Sequence, residues 1–199
     1  MTKLKFCIKD CFSESDPVFE EITKAVLQHA GTKTRYDLVI RVSYNHGGEI
    51  VVMRNLVQLI ETTVNTYQNI YFDLRFGGFA VSAAAFFFLY FGYYTLLPRV
   101  RVSSTVRLCL VYHKPRSVLK RVSGDVLIFA NNAQGVRSLS ANEREELLQF
   151  TGWFDNILNS FVQILKDQTG AVVEQHLMDS YNTNGDLSFT LSPRTFKTF

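Results

Sequence analysis

Apolar residues recur along this chain at two alternating periods. Residues 17–29 (PVFEEITKAVLQH) place Val18, Ile22, Val26 and Leu27 at helical spacing, with Ser15 or Asp16 positioned to cap the first turn. Residues 36–43 (YDLVIRVS) have a continuous Leu-Val-Ile centre and run into NHGG, the pattern of a strand ending in a glycine turn. Helical spacing returns over residues 49–66, at Val52, Leu56, Leu59, Ile60 and Val64. The same order then repeats: a strand over 69–74, a glycine turn over 75–78, and a helix rich in Ala and Phe from Val81. A third strand, VRLCLVY, covers 106–112.

Strands alternating with helices predict an α/β fold with a mainly parallel sheet, buried on both faces and joined by right-handed crossovers. Residues 141–168 form a long helix, in which Leu147, Leu148, Phe150, Phe154, Leu158, Phe161, Val162 and Leu165 make a wide apolar stripe that needs a partner. Between these parts, residues 116–138 hold a VLIF core flanked by SGD and NNAQG, which predicts an extra strand or hairpin. At 199 residues, with no repeat and no linker, one domain over 1–199 is expected, opening on a short segment over 1–16.

Composition narrows the class. Hydrophobic residues make up 47% and charged residues 20%, the balance of a packed protein rather than a disordered one. The net charge of +3 is spread without a basic block, so nucleic acid is not an expected partner. Cys7, Cys11 and Cys109 match neither a zinc site nor a disulfide framework, which suits a reducing compartment; no metal and no cofactor is expected. Lys3, Lys5, Lys9 and Asp10 interrupt any signal-peptide core, and a cytoplasmic location is expected. Residues 77–98 lack charge and are long enough for a membrane span. Their opening Gly-Gly, internal Ser82 and Gly92 and terminal Pro98 favour a buried core helix with a following strand, so no membrane partner is expected.

In an α/β sheet, functional groups gather beyond the carboxyl ends of the parallel strands. Three features fall there. Asn45-His46-Gly47-Gly48 lets the backbone approach a substrate and offer amides, or is simply a turn. Ser82 stands at a strand-to-helix junction among small residues, either as a nucleophile or as a helix cap. His113 directly follows the apolar strand, where it can act as a general base or keep a local hydrogen bond.

Together these strings resemble the proteolytic subunit of the Clp protease. Tyr44-Asn45-His46-Gly47-Gly48-Glu49 is similar to the N-S-P-G-G turn of that family, Ala80-Val81-Ser82-Ala83-Ala84-Ala85 to its A-A-S-M-G-A nucleophile segment, and Val111-Tyr112-His113-Lys114-Pro115 to its M-I-H-Q-P. The long helix ending in Thr169-Gly170 resembles its handle helix. The resemblance implies a ClpP/crotonase-like spiral of ββα units and a serine endopeptidase working in a homo-oligomeric ring on peptides or unfolded protein. It further implies Ser82 as nucleophile, His113 as base, the amides of Gly48 and Ala83 as the oxyanion hole, and Asp186 as the third triad member, with Asp179 as its rival. A plain turn aspartate is the other reading of either residue. The family's N-terminal segment, which helps dock an AAA+ unfoldase, is largely absent, because the first helix begins about sixteen residues in. Coupling to such an ATPase is therefore not expected. Two further readings are a catalytically silent Clp-like subunit or scaffold and a crotonase-like acyl-CoA enzyme, which shares glycine oxyanion turns and needs no Ser-His pair.

Overall fold

Leu38, Ile40 and Val42, alternate residues of one strand, are fully buried, and so are Ile70, Phe72 and Leu74 of the next. Their face of the sheet receives the helices. The computed structural model describes residues 2–170 and 172–197, and the chain forms two compact units, one comprising Met1–Val111 with Ser188–Phe199 and the other Tyr112–Leu187.

In the first unit, β1 (Thr2–Ile8), β2 (Tyr36–Asn45), β3 (Ile70–Val81) and β4 (Val100–Tyr112) pair in parallel in that order. The sheet continues to β7 (Leu187–Leu191), and β8 (Arg194–Lys197) adds antiparallel to β4. Helices α1 (Val18–His29), α2 (Ile50–Thr66) and α3 (Ala83–Leu89) follow β1, β2 and β3. The Asp16 carboxylate accepts the Val18 N–H at 3.0 Å, as the sequence predicts for the start of α1.

Three departures from the sequence reading matter. First, β1 is a strand that was not anticipated, although Leu4, Phe6 and Ile8 alternate with Lys3, Lys5 and Cys7. Second, the sheet is not apolar on both faces: Lys3, Lys5 and Arg41 are exposed, and Asp37 and Asp73 point away from the buried Leu38, Ile40 and Leu74. Third, Gly77-Gly78 is not a turn. It lies inside β3, at a register shift between Phe76 and Gly78, and the strand runs on to Val81. Strand β2 has a matching irregularity between Ser43 and Asn45, where Tyr44 adopts φ +52°. That conformation costs a non-glycine residue about 1–2 kcal/mol.

The uncharged stretch therefore splits into the end of β3, the short α3 and a π-helical turn over Tyr90–Tyr94. Phe86, Phe87, Phe88 and Phe91 are fully buried, and no described helix is long and apolar enough to cross a membrane.

In the second unit, β5 (Arg116–Leu119) and β6 (Val126–Phe129) form the expected hairpin. Helix α4 (Ala141–Thr169) starts on a capping box, in which Ser140 Oγ accepts from the Glu143 N–H and Glu143 from the Ser140 N–H, and it stops at Gly170 with φ +68°. Leu147, Phe150, Phe154, Leu158 and Phe161 of its stripe are buried, while Leu148 is exposed. Helix α5 (Gln175–Asn182) brings Tyr181 against Tyr112, whose hydroxyl donates to the Phe154 carbonyl at 2.9 Å.

On the polar sheet face, Asp73 accepts from both Arg75 and Arg101 at 2.5 Å. Burial by itself would raise its carboxyl; the two guanidinium groups outweigh that and hold it below the ordinary range. Replacing Asp73 with Asn should cost about 1–2 kcal/mol in urea unfolding at neutral pH, the exposed sides of both arginines screening the rest. The wild-type contribution is complete above the unfolded carboxyl's pKa of about 3.9 and fades as pH falls through the lower folded value. Equal stability of the two proteins at neutral pH would show the cluster to be energetically idle.

Candidate active site

The sequence brings a serine to the end of β3, and the fold decides what that serine does. A capping serine keeps an extended backbone and turns its oxygen toward the first helical amides. Ser82 does neither: its φ is +55° and ψ is −120°, and its side chain makes no cap bond to α3. Its N–H is tied to the Val111 carbonyl of β4 at 2.9 Å, which anchors the junction to the sheet. Such a sharp, strained strand-to-helix turn is the conformation that exposes a nucleophilic hydroxyl. Ser82 is half-buried in a setting where Ala83, Ala84 and Ala85 are fully buried.

The glycine turn lies directly against this junction. A Cβ on Gly47 would fall 2.6 Å from Ser82 Cβ and 2.7 Å from the Val81 carbonyl oxygen, so only glycine fits. Gly48 is hemmed in from the other side, where a Cβ would overlap the Phe12 carbonyl oxygen. Phe12 holds the turn as a short parallel bridge: its N–H donates to the Gly47 carbonyl at 2.5 Å, and its carbonyl accepts the Glu49 N–H at 2.8 Å. The His46 N–H adds a bond to the Asp10 carbonyl at 2.6 Å. Fully buried, the Phe12 ring packs on Phe19 of α1 and Phe87 of α3, both at 5.7 Å between ring centres. One residue thus links the glycine turn to the helix behind the serine.

Among the described residues, no acceptor takes the N–H of Gly48 or of Ala83. Asn45 completes the turn. Fully buried, it accepts the Gly47 N–H on Oδ1 at 2.9 Å, while its Nδ2 has no partner among the described residues. Asn two residues before a glycine is a familiar way to close a turn with a side chain, a signal present in the sequence at Asn45. Phe12 carried no local signal.

His113 lies in the second unit. His113 follows β4 and is 4% exposed. Its Nδ1 lies 3.0 Å from the Lys114 carbonyl oxygen, which can only accept, so Nδ1 carries the proton and the neutral ring's lone pair is on Nε2. Burial is the largest influence on this imidazole and lowers its pKa; the Lys114 carbonyl raises it, Arg116 lowers it and Asp186 raises it, for a net value below the ordinary one. Asp186 is exposed, just ahead of β7, and acts on His113 through its field. Asp179, on α5, accepts instead from Gln175 at 2.8 Å. Lys114 lies 3.7 Å from Asp155, which also accepts the Tyr181 hydroxyl at 2.6 Å, a link the sequence did not suggest. The fold thus gathers Ser82, Gly47, Gly48 and Ala83 in one unit, and His113 with Asp186 in the other.

No protein-family model matches the chain, and no curated protein sequence matches it significantly. Among solved structures it is similar to the crystal structure of the ClpP protease catalytic domain from Plasmodium falciparum, with a TM-score of 0.50 and 12% identity, over 94% of this chain and 76% of that one. At this identity the likeness is one of architecture: the chain has a ClpP-like α/β fold, its long C-terminal helix included.

Proposed function

We propose that this chain is a serine hydrolase that cleaves peptide bonds through an acyl-enzyme on Ser82. The observation that carries the reading is the backbone of Ser82, strained to φ +55° with its hydroxyl uncommitted to capping, beside a turn in which only glycines fit. A helix start gains nothing from that geometry, whereas a nucleophile does.

In the proposed reaction, Ser82 Oγ adds to the substrate carbonyl carbon as its proton passes to Nε2 of His113. The carbonyl oxygen takes up negative charge between the amides of Gly48 and Ala83. Collapse breaks the C–N bond, and the proton moves from His113 to the departing amine. Water then attacks the ester by the same route and restores the serine hydroxyl. The Lys114 carbonyl fixes the ring tautomer, and Asp186 favours the imidazolium through its field. This arrangement asks less of Asp186 than a directly bonded carboxylate would supply.

The ring-shaped homo-oligomer is part of the proposal. Its support is the apolar surface of the second unit, where Val118, Val126 and Leu127 of the hairpin and Leu148 of α4 are exposed. The stripe of α4 itself is mostly consumed within the chain. The silent-subunit reading draws on one observation, the bond from His113 to a backbone carbonyl instead of a carboxylate.

An alkyl fluorophosphonate should label the native protein at Ser82, and Ser82→Ala should abolish labelling without changing the unfolding midpoint. A folded, unlabelled wild type would overturn the proposal in favour of the silent subunit. In peptide hydrolysis, the depressed His113 keeps the base unprotonated further into acid, so the acidic limb of kcat/KM should lie below about pH 6.5. A limb above that value would contradict the burial argument. Asp186→Asn should shift the limb further toward acid and lower kcat by only about tenfold, short of the roughly 10⁴-fold loss seen when a triad carboxylate bonded to the ring is replaced. A loss of that larger size would place Asp186 on the ring.

A further inference from the structure

Beside the serine, the fold keeps an aromatic surface whose leading ring stays largely exposed. Tyr44, at the register shift of β2, takes φ +52°, a conformation that a bulky side chain resists. Across from it, Gly78 at the shift of β3 takes φ +73°, and a Cβ there would lie 2.5 Å from the Tyr44 ring. Two separate concessions therefore seat this ring: a strained backbone under it and a missing side chain opposite it. Burial does not compensate them, because Tyr44 remains 62% exposed. Bulges next to active sites commonly re-aim a side chain, and unrepaid strain marks residues held for another purpose.

The ring has company. Phe79 packs edge-on to Tyr44 at 5.6 Å between centres, and the exposed His46 lies against the same Phe79 at 4.8 Å. His46 immediately precedes Gly47, the residue in contact with the Ser82 junction, and Phe79 stands three residues before Ser82 on the strand that leads into it. The three rings thus form a ledge on the two segments that present the proposed nucleophile and oxyanion amides.

We propose that Tyr44, Phe79 and His46 form a subsite for an apolar, preferably aromatic, side chain of the peptide cleaved at Ser82. The assignment rests on the serine hydrolase reading for its placement near the scissile bond. The occupant follows from the ledge itself: it offers aromatic faces and edges, and Tyr44 and Phe79 bring no formal charge. Edge-to-face contacts reward a ring over a methyl group.

Two measurements test it, one of them independent of chemistry. On Ser82→Ala protein, an N-acetyl-Gly-Phe-Gly amide should bind about tenfold more tightly by calorimetry than its Gly-Ala-Gly counterpart. Tyr44→Gly, which suits the positive φ and so preserves the fold, should remove most of that difference in the Ser82→Ala background, while Tyr44→Phe should retain it. With Ser82 intact, a phenylalanyl peptide phosphonate should react about tenfold faster than an alanyl one. Tyr44→Gly should collapse this ratio by slowing the phenylalanyl phosphonate, and Tyr44→Phe should retain it. Equal binding of the two peptides, or a preference that survives Tyr44→Gly, would overturn the subsite. So would an unchanged preference accompanied by a smaller assembly in sedimentation, which would make the ledge a contact between copies of the chain. Selective binding in a protein whose Ser82 reacts with no probe would uphold the subsite and overturn only the hydrolase reading.

Discussion

Two backbone segments touch where Gly47 meets the Ser82 junction, and the arrangement of the first unit follows from keeping them in contact. The approach is closer than any side chain permits. It therefore needs glycine at Gly47, a sharp turn at Ser82, and something behind each segment to prevent retreat. Phe12 braces the glycine side through two backbone bonds, and the Val111 carbonyl holds the serine side. The buried phenylalanines of α3 then fix the helix that carries the serine. Rigidity here comes from backbone hydrogen bonds and close packing, both of which resist small displacements more strongly than a surface loop would.

His113 is held differently. His113 is oriented by its neighbour's carbonyl and kept neutral by burial, so a local contact does work that a distant carboxylate often performs. Asp186 then tunes the ring by field alone. Separating orientation from charge in this way leaves the imidazole's orientation independent of the exposed turn before β7, where Asp186 lies.

Much of the fold was legible because buried side chains repeat at the period of their element. The expected bounds of α1, α2 and α4 lie within one residue of the observed ones, whereas the extra strand or hairpin expected somewhere in 116–138 is a hairpin that occupies 116–129. The failures share a cause. Glycine pairs are ambiguous between a turn and a bulge, and the turn expected at Gly77-Gly78 ends β3 too early. In β1, Lys3 and Lys5 interrupt an apolar leader as readily as they mark the exposed face of a strand, which masks their alternation with Leu4, Phe6 and Ile8. Of the candidate site, the residue types and their order were visible at Ser82, Gly48, Ala83 and His113. The backbone strain at Ser82, the bracing by Phe12 and the carbonyl on His113 were not, since each arises from contacts between segments distant in sequence or from a dihedral angle that no residue type dictates.

Strand β1 has a consequence of its own. It forms one border of the sheet, and its outward positions carry Lys3 and Lys5. Desolvating two ammonium groups is costly, so a stray extended segment gains little by zipping onto this rim. For a protein proposed to hold extended peptides, that rim acts as a guard rail: it discourages bystander chains from fusing with the sheet far from Ser82 and protects the fold from polymerising through its own border.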